Sequence, residues 1–359
     1  MTIFNLPVFF IFFSVVFLVS RAYQKIASVL IILLLTLVAG TRFYSDIDYG
    51  PYIDLFKETP LLENITLSDI LILYGEPGYL IFTSLIKSAN LDFFAVTILF
   101  SFASISIKLY VCSYLVRNYI LAFSLFLCLH FLTVEFIELR WALSSAFVML
   151  AIFFELKDKT KYFFLCIILA SIFHYFSFLF LCVLLFRYFT FKKSLVIFML
   201  SFFIAIAYKT FSPSVDYSLE SDIYIVRRLF RYLNNPESSV GLFSYLRILM
   251  YLVVVYTIYL YRSRLSEFEI KLAMYSSLLI SLSLMISFVP LLYFRSMVVS
   301  DLFMIILMVN LIFKFGLIYR YFFVASVSIL FSTWNIIDVI NYQTAGYIFE
   351  YKTWLNFLI

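Results

Sequence analysis

Charge is what this chain has least of. Charged residues fill 13% of its 359 positions and hydrophobic ones 65%, which excludes an ordinary soluble domain set. Glycine and proline are scarce, seven of each, so no flexible or Pro-rich linker divides the chain, and no internal repeat is visible. There are only four cysteines. Cys112, Cys128, Cys166 and Cys182 lie in or beside apolar runs without paired spacing, which excludes a zinc ribbon or a disulfide framework and reads as buried, inert thiols. The two histidines, His130 and His174, stand too far apart to make a metal site. No G-x-S-x-G, no Walker loop and no C-x-x-C is present. No residue set calls for a cofactor. Period-two alternation is also missing, and with it the signature of a spanning β-barrel.

Long apolar blocks separated by short charged clusters are what is present. They predict an all-α polytopic membrane protein with about 12 transmembrane or half-membrane helices, forming a single integral membrane domain over 1–359. The runs are 3–20, 27–41, 92–107, 119–134, 139–154, 162–173, 175–186, 194–208, 242–260, 272–288, 296–313 and 321–337. The first has no basic residue before it and no small-residue cleavage pattern, so it reads as a retained helix.

Lysine and arginine set the orientation. Alternate loops at 21–25, 108–117, 155–161, 187–193, 262–271 and 314–320 hold 15 basic and 4 acidic residues. The remainder holds 11 basic and 17 acidic residues, which places the first set in the cytoplasm and both chain ends outside. The net charge of +5 is therefore a topology signal and implies no nucleic-acid partner. Basic clusters flank 162–186 at both ends, so that interval must return to its own side. It reads as a short re-entrant-type helix pair meeting at His174, each arm too short to cross. Two long periplasmic loops follow, about 42–91 and 209–241. In the first, Glu76 and Pro77 read as a helix start leading into an interfacial segment.

On the outer side arginine supplies seven of eleven basic residues, against six of fifteen inside. Topology does not distinguish lysine from arginine. A planar fork that grips phosphate oxygens in pairs does. Arg42, Arg140, Arg295, Arg227, Arg228 and Arg231 are accordingly candidates to hold a diphosphate. Arg42, Arg140 and Arg295 each abut an apolar segment, where charge is costly. Ion pairing with the outer carboxylates is the alternative for any one of them. Asp46 and Asp48 form a D-x-D pair suited to a sugar, a metal or a solvated turn. Glu76, beside a helix start, is a candidate proton acceptor, as is His174 at its inward turn. Glu135 and Glu138 share a helix face and could pair with arginines. Tyr49, Tyr79 and Tyr175 are candidates to stack on sugar rings; interface anchoring is the alternative.

The order of these features resembles one family. An arginine after the second run, then "DIDYGPYIDLF", "EPGYLIFTSLIK", "ELRWALSSAFVMLAIFF" and "YFFLCIILASIFHYFSFLFL", is similar to the EpsG-like group of bacterial polysaccharide polymerases, among which are many Wzy O-antigen polymerases. The matching stretch is residues 40–182. Trp141 stands where that group commonly has a smaller or polar residue. The resemblance implies a GT-C type glycosyltransferase in the bacterial inner membrane, with its active site facing the periplasm. It would move a growing glycan from undecaprenyl diphosphate to the non-reducing end of a new lipid-linked repeat unit. Donor and acceptor are then both lipid-linked oligosaccharides within membrane lipid, and a chain-length regulator protein would be a further partner. On that footing Arg42, Arg140 and Arg295 hold the diphosphate, and His174, Glu76 or Asp48 takes the acceptor's proton. The alternatives are a lipid-linked oligosaccharide flippase or transporter, or a membrane O-acyltransferase.

Overall fold

The computed structural model describes residues 23–66, 76–211, 242–344, 346 and 352–353. The run 3–20 and the candidates Arg227, Arg228 and Arg231 lie outside the described residues. Within them every regular element is a helix, and the isolated extended pairing is an antiparallel bridge between Arg42 and Thr353. Six helices are long and apolar enough to cross a membrane and five more apolar ones are shorter, so this is a multi-pass membrane protein. The described residues fall into two compact units, one within Met1–Leu181 and Val309–Ile359, the other within Cys182–Met308.

The first unit opens with α1 (Gln24–Gly40). Its Ala27, Ile31, Leu35 and Ala39, four apart, are buried, while Leu30, Leu33, Leu34 and Leu37 face outward. That is a packing seam on one side and a lipid face on the other. α4 (Phe93–Leu115) lies against this seam. The two helices nearly touch at Gly40, where a Cβ would come within 2.8 Å of the Ile98 Cα. Thr97 Oγ1 also donates to the Gly40 carbonyl at 2.6 Å. These contacts fix where α1 ends and Arg42 begins.

Between them run α2 (Tyr49–Glu58) and α3 (Pro77–Ser88). The helix start expected at Pro77 is observed, with Glu76 at the N-cap. α3 rests on α7 (Thr160–Phe173), and Gly78 makes that approach possible: a Cβ there would sit 2.9 Å from the Ile172 carbonyl oxygen. α5 (Tyr119–His130) ends in a π-turn, Phe131–Glu135, that leads to α6 (Leu139–Leu156). α6 packs on both α4 and α7, and α12 (Leu317–Thr344) covers α5. Asn335 Nδ2 of α12 donates to the Cys128 carbonyl at 3.0 Å.

The break at His174 is present. The residue is extended (φ −157°, ψ 113°) between α7 and a 14-residue 3₁₀ helix, Tyr175–Tyr188. Ser144 of α6 hydrogen-bonds the Ala170 carbonyl at 2.8 Å and the Ser177 hydroxyl at 2.5 Å, so both arms meet the same turn of α6. The second arm departs from expectation in length. Wound as 3₁₀ at roughly 2 Å per residue, it rises about 28 Å, near the thickness of a hydrocarbon core.

In the second unit, α8 (Phe191–Phe211) packs on α9 (Leu242–Leu260) and α10 (Glu267–Met285). Ser266 and Glu269 cap α10 reciprocally. α11 (Pro290–Ile312) follows.

Lys108 corrects the topology count. The apolar run ends at 107, but the helix continues to Leu115 and carries Lys108 inside, fully buried. It is therefore not a loop charge.

Candidate active site

Arg42 lies two residues beyond the C-terminus of α1, where free carbonyls and the dipole favour a cation. Its Nη1 donates to the Ala39 carbonyl at 2.8 Å and its Nε to Asp46 Oδ2 at 2.9 Å. The guanidinium carbon stands 5.4 Å from the Phe136 ring centre. Arg42 and Asp46 are both enclosed, at 0% and 1% exposure. Burial pushes the Asp46 carboxyl above the ordinary range, opposed by Arg42. The other Asp46 oxygen accepts the Asp48 N–H at 3.0 Å, so both are used within the chain. Among the described residues no group of three or more His, Cys, Asp or Glu could hold a metal. Arg42 Nη2 is buried with no hydrogen-bond partner among the described residues.

Arg140 is the second residue of α6, where a helix dipole disfavours a cation. What offsets that cost is Glu76 Oε2, which accepts from its Nη1, and the Tyr52 hydroxyl, which accepts from its Nε at 3.3 Å. The guanidinium carbon lies 5.3 Å from the Tyr52 ring centre and 5.6 Å from that of Tyr79. Tyr79 is 1% exposed, and its hydroxyl has no hydrogen-bond partner among the described residues. Desolvation holds that phenol well above its usual pKa, while Arg140 and Arg42 both act on it in the other direction. One tyrosine thus feels both arginines. The ends of α1, α2, α3 and α6 deliver Arg42, Tyr52, Glu76, Tyr79 and Arg140 to one buried polar corner.

His174 is 7% exposed, with its ring edge-on to Trp141 at 5.4 Å between centres. Its Nδ1 accepts the Phe176 N–H at 3.3 Å. With that contact, a neutral imidazole carries its proton on Nε2. Asp48 is half-buried and close enough to act electrostatically on Tyr52.

The tyrosines separate. Tyr49 is fully buried, its ring against Phe43, Tyr44 and Phe93, with no face open to a sugar. Tyr175 is 43% exposed and within electrostatic reach of Glu76.

Two buried ion pairs were not anticipated. Glu135 on the π-turn pairs with Lys108, not with an arginine. Ser104 donates to its second oxygen at 2.8 Å. The signal was a lysine directly after an apolar run, followed by further apolar residues, with a serine one turn before it. In the second unit, Arg247 Nη1 meets Asp301 Oδ2 at 3.1 Å. Arg295 lies on α11 of that unit, half-buried.

Apolar helices enclosing a buried, arginine-bearing polar corner define a membrane-embedded protein. The model of the EpsG family matches residues 25–353, through both units, and the chain belongs to that family. No curated protein and no solved structure matches the chain.

Proposed function

We propose that the protein is an inner-membrane glycosyltransferase that extends a polysaccharide from undecaprenyl diphosphate at the periplasmic face. The observation that carries this reading is the pair of arginines in one buried corner, with Arg42 Nη2 and the Tyr79 hydroxyl left without partners among the described residues. Buried donors without acceptors are costly unless a ligand supplies oxygen atoms. A lipid diphosphate has them, and guanidinium forks match their geometry.

The chemistry follows from that placement. The acceptor hydroxyl attacks the anomeric carbon of the growing chain, and the bond from that carbon to the phosphate oxygen breaks. The diphosphate leaves with the electron pair, and Arg42 and Arg140 stabilise the charge that develops on it. Phosphate oxygens compete with Glu76 for Arg140. The carboxylate that is displaced takes the acceptor's proton. Tyr175 offers an exposed ring to the incoming sugar. Nothing in these steps draws on a cofactor.

The test is polymer formation in a strain lacking its own polymerase, read as a glycan ladder. Arg42→Lys and Arg140→Lys are each expected to lose most of the ladder, about 10²-fold or more in rate, while still inserting. Lysine keeps the charge but not the two-pronged contact. Normal ladders from both variants would overturn the reading.

Orientation has its own test. With the four native cysteines replaced by serine, Ala89→Cys and Lys159→Cys occupy exposed turns. An impermeant thiol reagent applied to intact cells should label position 89 and not 159. The reverse pattern, or equal labelling, would refute the topology.

A further inference from the structure

The loop that carries Arg42 is tied to a point 307 residues away along the chain. Phe43 N–H donates to the Lys352 carbonyl at 2.9 Å. Lys352 N–H donates to Ser45 Oγ at 3.1 Å, and that hydroxyl faces the same Lys352 carbonyl at 3.2 Å. Arg42 itself forms the antiparallel bridge with Thr353. Ser45 is fully buried, although Lys352 is exposed.

Between the two pinned residues stands Tyr44, with φ of 44°. For a bulky side chain that is the left-handed region, a conformation that persists only where its surroundings impose it. Here the imposing contacts are visible: the residues on either side of Tyr44 both bond Lys352. Asp46, the partner of Arg42, comes one residue after Ser45. The strained turn between Arg42 and Asp46 is therefore held from outside as well as by their own ion pair.

We infer that residues 352–353 are a strap that positions Arg42, acting through Ser45 and the Phe43 backbone, and that Ser45 is a positioning residue for the diphosphate site. The inference rests on Arg42 being a diphosphate ligand. Its physical basis is that a fork binds two oxygens only if its plane is fixed. Without the strap, Tyr44 relaxes toward ordinary φ and the guanidinium loses its register. The Lys352 side chain has no part in this, because every bond to that residue is made by its backbone.

The experiment measures binding of glycan-free undecaprenyl diphosphate to purified full-length protein in detergent, at a temperature where each variant is folded. Ser45→Ala removes the hydroxyl. Lys352→Pro removes the N–H at the other end of the same bond. Each is expected to weaken binding about tenfold, the scale expected when a ligand group is mispositioned. Neither should weaken it further when added to Arg42→Lys, because the strap acts only through that arginine. Wild-type binding by both variants overturns the strap. So does an additional loss in the Arg42→Lys background, which would mean general loosening that also reaches Arg140. Failure of both variants to accumulate in the membrane overturns it too, making the strap a folding element. If Arg42→Lys itself binds like wild type, the diphosphate reading of Arg42 falls and the strap falls with it. If only Arg42→Lys weakens binding, the strap alone is wrong.

Discussion

Glu76→Gln is expected to form little or no polymer, with the rate down about 10²- to 10⁴-fold, the range general-base groups contribute. The same variant should hold undecaprenyl diphosphate more tightly, by about tenfold, the equivalent of roughly 1.4 kcal/mol. The opposite signs come from one contact. Glu76 accepts from Arg140 Nη1 and is almost fully enclosed with it. While that pair stands, the arginine is engaged and the carboxylate is not available as a base. Glutamine can still accept a hydrogen bond, but it neither neutralises the guanidinium nor takes a proton. The phosphate then meets a weaker competitor, and the acceptor hydroxyl meets no base. Arg140 remains supported by the Tyr52 hydroxyl and by two aromatic rings. A ladder of normal length and intensity from Glu76→Gln would remove Glu76 from the chemistry. Weaker lipid binding would show that Glu76 helps to hold the site open and does not compete for it.

Glu135→Ala is expected to be the most destabilising single change in the first unit, costing about 3–5 kcal/mol. The alanine would strand Lys108, which is fully buried within α4. It would also leave the Ser104 hydroxyl with the Ala142 carbonyl as its one remaining acceptor. The damage should spread, because Glu135 closes the π-turn. The next residue, Phe136, lies under the Arg42 guanidinium, and Arg140 follows four residues on. Thermal unfolding in detergent reads the loss. Replacing both partners, as Lys108→Met with Glu135→Leu, should recover most of it, since the apolar pair leaves no charge behind. A Glu135→Ala protein that melts with the wild type would show that the lysine finds another partner.

The helices were legible because their cause is local. Apolar runs of membrane length cannot leave backbone groups unpaired in lipid, so they wind up: the runs at 139–154 and 242–260 lie within α6 and α9, and that at 92–107 falls in α4 except for its N-cap residue, Asp92. The start at Pro77 and the break at His174 were legible for the same reason, as features of a few adjacent residues. Helix ends were less so. Lysine and glutamate can remain helical beyond an apolar run, which is why Lys108 read as loop.

The site was legible only as a list. Arginine beside apolar runs pointed to Arg42 and Arg140, and a helix start pointed to Glu76. Which residues meet is a long-range matter: Arg140 reaches Glu76 across 64 residues, Lys108 reaches Glu135 across 27, and Phe43 reaches Lys352 across 309. Nothing in local pattern encodes those pairings. The sequence by itself determined a helical membrane protein with few charges to draw a site from. Tertiary structure decided that Glu76 stands beside Arg140, because only packing brings residues so far apart in the chain together. It also decided that Tyr49 is core while Tyr175 is open, because burial of a ring depends on helices far away in the chain.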